Sequence, residues 1–167
     1  MTISRQPDAA FLVSHPAHFI ALGFGSGLFP KAPGTAGTLA AWPVYWLLAQ
    51  FLPPLAIAFV AVPMFFLGIW ACERTGRDLG ASDHGAMVWD EIVAVLPLFA
   101  LTHGQPLLQV AAFVLFRVFD IWKPPPIKLF EKNLKGGLGV MFDDLIAACY
   151  AYLGIIAIVV ATRGAAA

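Results

Sequence analysis

Charge in this chain keeps to alternate connectors, and that alternation leaves few folds open. Five apolar segments, at about 37–52, 55–72, 87–101, 107–121 and 140–160, are separated by short linkers. Linkers 73–86 and 122–139, together with the stretch 1–36, carry nearly all the Lys and Arg. Linkers 53–54 and 102–106 carry none, and only Arg163 near the end departs from the pattern. Every acidic residue falls on the basic side as well. With 60% of residues hydrophobic and 12% charged, the composition lies outside the range of soluble domains. The expected fold is all-α, a polytopic membrane helical bundle with about five membrane segments and two cytoplasmic interfacial helices. Positive charge marks the cytoplasmic side, which puts the N-terminus inside and the C-terminus outside.

Five spans in 167 residues leave no room for a second unit, so residues 1–167 are expected to form one membrane-embedded domain. The opening MTISRQPDAAFLV lacks a basic stretch followed by a continuous apolar run, so no cleaved signal is expected. A net charge of zero argues against a general nucleic-acid role, while the one-sided basic residues suit anionic lipid headgroups. Cys72 and Cys149 lie in or beside apolar segments without metal-ligand spacing and read as free packing thiols.

A helix needs about 20 residues to cross the hydrocarbon core. Segment 87–101 offers fewer, so either flanking residues extend it or the helix ends within the bundle with its cytoplasmic end submerged. Pro43, Pro63 and Pro97 fall inside helical segments, where neighbouring helices must accommodate the lost hydrogen bonds. One interfacial helix is expected over 17–22, with Ser14 as its N-cap and Gly23 stopping it. The other starts near Pro126 and ends at Gly136. There Ile127, Phe130 and Leu134 share a face and Lys128, Lys132 and Lys135 recur at helical spacing, a pattern suited to lying on a membrane surface. A solvated connector helix is the plainer alternative.

Three acidic sites, Asp90/Glu91, Asp120 and Asp143/Asp144, fall just inside the cytoplasmic ends of three helices. An ionisable group costs roughly 2.5–3.5 kcal/mol near a membrane helix centre and less toward its end, so these acids point to function. Adjacent helical residues point about 100° apart, so Asp90 and Glu91 are not expected to face one spot. One is expected to bind a metal while the other orients it or meets a neighbouring helix. An acidic first turn that complements the helix dipole is the plainer reading of one such residue, but not of two pairs. Repulsion among so many close acids calls for a cation. Oxygen-only ligands suit Mg²⁺, with Asp90, Glu91, Asp143 and Asp144 the expected ligands.

The Gly-rich segment GFGSGLFPKAPGTAGT precedes an apolar helix, where backbone N–H groups and the helix N-terminus can receive an anion. Gly34, Thr35 and Lys31 are its expected phosphate contacts, and Thr38 is a second hydroxyl able to cap or donate. A tight turn before a membrane helix uses the same residues, and no Walker A string is present. Arg117 and Asp120, three apart, share a helix face and can pair. Arg117 is equally well shaped to hold a phosphate, with Lys123 beside it. His84 neighbours the acids as a loop residue, with proton transfer a second possibility. His15 and His18 lie near the interface, and His103 lies on the opposite side.

Four strings, GFGSGLFPKAPGTAGTLAA, SDHGAMVWDEIV, FRVFDIWKPPPI and GGLGVMFDDLIAACYA, occur in this order. They resemble the phosphatidylglycerophosphatase A family of bacteria over about residues 15–152. The resemblance implies an all-helical, multi-pass enzyme of the bacterial inner membrane. Its reaction would be Mg²⁺-dependent hydrolysis of phosphatidylglycerophosphate to phosphatidylglycerol and phosphate, with the site facing the cytoplasm. The family's loop falls on Gly25, Gly27, Lys31, Pro33, Gly34, Thr35 and Gly37. Its acids fall on Asp83, Asp90, Glu91, Asp120, Asp143 and Asp144, and its bases on Arg117 and Lys123. The catalytic set it implies is Asp90, Glu91, Asp120, Asp143 and Asp144. Ala94 and Ala148 depart from it by standing where glycine is expected, which bears on substrate fit. The sequence lacks the D-x-D-x-T motif of other phosphatases. A small transporter with a one-sided carboxylate cation site is the competing class; it would favour charges near the midplane.

Overall fold

The computed structural model describes residues 6–164; the side chains of 131–132 and 163–164 lie outside the described residues, and with them the Lys132 and Arg163 parts of the charge pattern. Among the described residues the chain forms eight α-helices and no strand. They are α1 (Ala9–Ser14), α2 (Pro16–Ala21), α3 (Pro33–Ala49), α4 (Pro54–Leu79), α5 (Trp89–Leu101), α6 (Pro106–Trp122), α7 (Ile127–Asn133) and α8 (Gly136–Gly164). A 3-10 turn, Gly23–Leu28, follows α2. Helices α2, α3, α4 and α6 carry proline in their first turn, where its missing N–H costs nothing. Helix α4 stops at Gly80, whose φ of 73° suits glycine. Pro43, Pro63 and Pro97 lie inside helices that continue through them.

All five apolar segments are helices, α3 to α6 and α8. Helix α5 is the centre of the bundle, packed by α3, α4, α6 and α8. Eleven of its 13 residues are buried, so it has no free face. Its length, about 20 Å at 1.5 Å per residue, is short of a hydrocarbon core of about 30 Å. The surrounding helices turn apolar side chains outward. Leu55, Phe59, Val62 and Phe66 form an exposed stripe on α4, and Leu107, Val110, Val114, Val118 and Ile121 form one on α6. An apolar stripe at helical spacing on the outside requires an apolar solvent. Helices α4 and α8 are long and apolar enough to cross a membrane, and most of each lies outside the protein interior. Helices α3 and α6 have 17 residues each.

Hydrogen bonds fix one end of α5 and ring stacking the other. At one end the Val88 amide donates to Ala21 O at 2.8 Å and Trp89 Nε1 donates to Met64 O at 3.0 Å. Near the other, Trp42 stacks on Phe99 with ring centroids 4.7 Å apart, and its Nε1 donates to Gln109 Oε1 at 3.0 Å. Helix α8 begins hard against α4. A Cβ at Gly137 would run into the Ile69 carbonyl, and the Gly137 amide donates to Glu73 Oε2 at 2.9 Å. That bond satisfies one of the amides a helix start leaves open.

Several local expectations are corrected. Helix α2 is capped by His15, whose Nδ1 accepts the Ala17 amide at 3.0 Å, and not by Ser14, which ends α1. A His ring at that position reaches the amide without distorting the following Pro. Helix α1 arises because Asp8 Oδ1 accepts the Phe11 amide at 2.7 Å. His18 is buried, stacked on Phe11 and bonded through Nε2 to Asp78 at 2.9 Å, so it joins α2 to α4. The apolar side of α7 packs inward. Ile127 is fully buried and Phe130 meets the Phe142 ring edge-on at 5.2 Å, because the short helix folds back onto α8. Cys72 is buried as expected, but Cys149 is exposed.

Candidate active site

Three helices deliver carboxylates to one end of the bundle. The anchored first turn of α5 supplies Asp90 and Glu91, the last turn of α6 supplies Asp120, and the start of α8 supplies Asp143 and Asp144. They line a cavity of about 170 Å³ together with Asp83, Lys123 and the backbone around Gly85. Six carboxylates and one lysine leave the lining strongly negative. At the core of this set, Asp90, Glu91 and Asp144 each place an oxygen within 4.8 Å of the others. Asp90 and Glu91 therefore do share one focus, contrary to the expectation from helix geometry. The extra methylene of Glu91 lets its carboxylate swing back toward that of its neighbour.

Asp143 and Asp120 take different partners. Asp143 Oδ2 accepts from Lys123 Nζ at 3.3 Å, and Lys123 reaches it from the left-handed residue that ends α6. Arg117 Nη1 lies 3.0 Å from Asp120 Oδ2 and 3.8 Å from Glu91 Oε1, so one guanidinium bridges α6 and α5. Thr38 Oγ1, which donates to Gly34 O at 2.9 Å, accepts from Arg117 Nη1 at 3.4 Å. Thr38, buried one turn into α3, thus positions Arg117. Its spacing of four from Gly34, the reach of a helical hydroxyl to the preceding turn, is the signal that marks it in the sequence.

The N-terminus of α3 closes the site from the third side. A Cβ on Gly34 would collide with Glu91 Oε1 and would lie 3.2 Å from Arg117 Nη2. Only a hydrogen fits there, which explains this glycine. The Gly34 and Thr35 amides sit in the first helical turn, where no carbonyl of the helix can accept them. Lys31 and Thr35 are less central than expected. Lys31 is exposed on the turn before α3, Thr35 is half-buried, and neither lines the carboxylate cavity. His84 is buried, with Nδ1 accepting the Ala86 amide at 3.2 Å. It faces a separate polar cavity of about 400 Å³ that shares Asp83 and Gly85 with the carboxylate cavity. His103 is exposed on the connector between α5 and α6, away from the site.

The buried carboxylates are short of donors. Asp90 Oδ1, Glu91 Oε2 and Asp144 Oδ2 are sealed from the surface without a hydrogen-bond partner. Buried acceptors of this kind are expensive unless something cationic meets them. A donor set of carboxylate oxygens alone fits a hard divalent cation in place of zinc or copper. Arg117, Lys123 and the α3 amides stand beside it as hydrogen-bond donors.

An all-helical bundle with an apolar exterior and a buried carboxylate cluster that could hold a metal ion has the architecture of a membrane protein. Comparison with known proteins gives the particular family. The profile of the family described as Phosphatidylglycerophosphatase A matches residues 19–159, and the chain belongs to that family. It is 44% identical over 152 residues to phosphatidylglycerophosphatase A of Escherichia coli K12, covering 88% of each chain. It is 43% identical over 148 residues to phosphatidylglycerophosphatase A of Haemophilus influenzae, covering 86% of this chain and 89% of that one. A Bacteroides thetaiotaomicron protein, provisionally named a phosphatidylinositol-3-phosphatase, is 42% identical over 142 residues, covering 80% of this chain and 87% of its own. No solved structure matches the chain.

Proposed function

We propose that this protein is a Mg²⁺-dependent lipid phosphatase that hydrolyses phosphatidylglycerophosphate to phosphatidylglycerol and inorganic phosphate. It acts as a single domain of about five membrane segments in the bacterial inner membrane, with its site at the cytoplasmic face. The observation that carries the reading is the group of three buried carboxylate oxygens without donors, on Asp90, Glu91 and Asp144, beside Arg117. The family and the names of its relatives supply the substrate.

Asp90, Glu91 and Asp144 would hold the ion, with Asp143 close by. Mg²⁺ bound there supplies positive charge to the phosphoryl oxygens and orients them. Arg117, held by Thr38 and Asp120, turns its remaining donors to the phosphoryl group as a fork. Lys123 and the Gly34 and Thr35 amides complete the anion-binding wall, and Lys31 draws the phosphate in from the interface. Water attacks phosphorus as the bond to the glycerol oxygen breaks, and a cavity carboxylate takes the proton that the water gives up. The alkoxide leaves as the alcohol of phosphatidylglycerol after gaining a proton. Stabilising charge and fixing position account for most of the rate in such reactions.

The competing transporter reading needs a route onward from the acids. Along α5 the positions beyond the acids are the fully buried apolar residues Val95, Leu96 and Phe99, which offer no charged group to carry a cation onward. The deciding experiment measures phosphate release by purified protein from phosphatidylglycerophosphate and from phosphatidylinositol 3-phosphate, with Mg²⁺ and with EDTA. Release from the first substrate that requires Mg²⁺ is expected. Full activity in Asp90→Asn, Glu91→Gln and Asp144→Asn would assign the acids a structural role and sink the proposal. Maleimide labelling of Lys128→Cys, in a background lacking Cys72 and Cys149, tests the orientation. Labelling from outside intact cells would reverse it.

A further inference from the structure

We propose that an apolar groove between α4, α5 and α8 holds an acyl chain of the lipid phosphomonoester whose phosphate occupies the carboxylate cavity, an inference that rests on the lipid-phosphatase reading. The groove has a volume of about 360 Å³, within the range of sites that take a specific small ligand. One wall follows α5 through Asp90, Val93, Ala94 and Pro97. Those positions recur at three and four residues, so they form one straight stripe about 10 Å long. Every other lining residue is apolar; Asp90 alone carries charge.

Asp90 decides what the occupant is. The same side chain lines the carboxylate cavity, so the groove and the polar site meet at Asp90. A ligand that fills both must be charged at one end and hydrocarbon beyond it. The opposite wall supplies the entrance. It includes Val62 and Phe66, which belong to the exposed apolar stripe of α4, so the groove opens sideways toward the bilayer. Its floor is kept low by Ala58 and Ala61 of α4 and Ala94 of α5, leaving room for a flexible chain. Ala94 is the position where the family resemblance led one to expect glycine, so a methyl group here narrows the groove at mid-length. An apolar recess beside lipid forfeits dispersion contacts unless hydrocarbon enters it.

The test compares dioleoyl phosphatidylglycerophosphate with its deacylated, water-soluble headgroup, using the full-length protein in mixed micelles with Mg²⁺. Ala58→Leu and Ala61→Leu fill the groove without touching the carboxylates. They should lower kcat/KM for the acylated substrate about tenfold, as expected if roughly two methylenes lose their contacts. The deacylated headgroup should be turned over as by the unaltered protein. Equal effects on both substrates, or none on either, would overturn the groove while leaving the phosphatase reading intact. Release from neither substrate by the unaltered protein would instead defeat that reading. A binding measurement covers variants that fail to fold. A photoreactive diazirine in the acyl chain of the same lipid should label 58–66 and 141–145 of the unaltered protein, and unlabelled lipid should suppress it. Labelling that follows only the outer stripe of α6, around 110–118, would refute the inference.

Discussion

Replacing Gly34 with alanine should cost activity without costing stability. Gly34 lies in the first turn of α3, and helix propensity alone favours alanine over glycine by up to about 1 kcal/mol. The new methyl, however, would occupy the space of Glu91 Oε1 and crowd both terminal nitrogens of Arg117, at 3.2 and 3.3 Å. Restoring ordinary contact requires the Glu91 carboxylate to retreat by roughly 1 Å, a displacement that can cost about 100-fold in rate. That loss corresponds to about 2.7 kcal/mol of barrier. Phosphate release and thermal unfolding of the same preparation separate the two effects. The expected result is a kcat about 100-fold lower with an unfolding temperature equal to or above that of the parent. The double variant Gly34→Ala/Glu91→Asp should recover part of the loss, because the shorter acid vacates the space the methyl needs. Activity within threefold of the parent in Gly34→Ala, with the fold intact, would show that the Glu91–Arg117 contact does not matter to turnover.

Three further outcomes are expected. Mg²⁺ should raise the unfolding temperature of the purified protein, and Asp144→Asn or Glu91→Gln should abolish that rise. An unchanged rise in both would remove these acids from the metal site. Arg117→Ala should lose turnover and Arg117→Lys should recover little, because an ammonium cannot reproduce a fork of donors. Substantial activity in Arg117→Leu/Asp120→Leu would reduce the pair to a packing role. Gln109→Leu, which removes the acceptor of Trp42 Nε1 at the opposite end of the bundle, should cost about 0.6 kcal/mol of stability and leave turnover unchanged. A tenfold fall in rate would mean that the far end is coupled to the site.

Local signals carried much of this structure. The prolines at 54 and 106 open α4 and α6, the apolar runs became helices, and the acids at 90, 91, 120, 143 and 144 do line one cavity. The first two follow from neighbours within a few residues, and the third from the placement of each acid at the end of its helix nearest a basic linker. What needed three dimensions was the division of labour. That Asp144 joins Asp90 and Glu91 while Asp143 pairs with Lys123 depends on how α8 is rotated against α5 and α6, which no spacing encodes. Likewise, the sequence offered Gly34 as a phosphate contact in a Gly-rich segment. Its necessity comes from a glutamate 57 positions along the chain arriving at its α-carbon. The position of Lys31 was equally hidden: it stands beside Gly34 and Thr35 in sequence, but the turn before α3 leaves it exposed.

The near-complete sheathing of α5 by its neighbours separates two populations of helix within one small protein. Helices α4 and α8 meet the surrounding lipid and must respond to its thickness by tilting or by deforming it. Helix α5, which bears Asp90 and Glu91, is too short to reach across and is packed mainly by the side chains of four neighbouring helices. Its depth is therefore set by the protein. A cell that lengthens or desaturates its fatty acids as the temperature changes would alter the tilt of the outer helices. The carboxylates would stay at the level where their partners on α6 and α8 hold them.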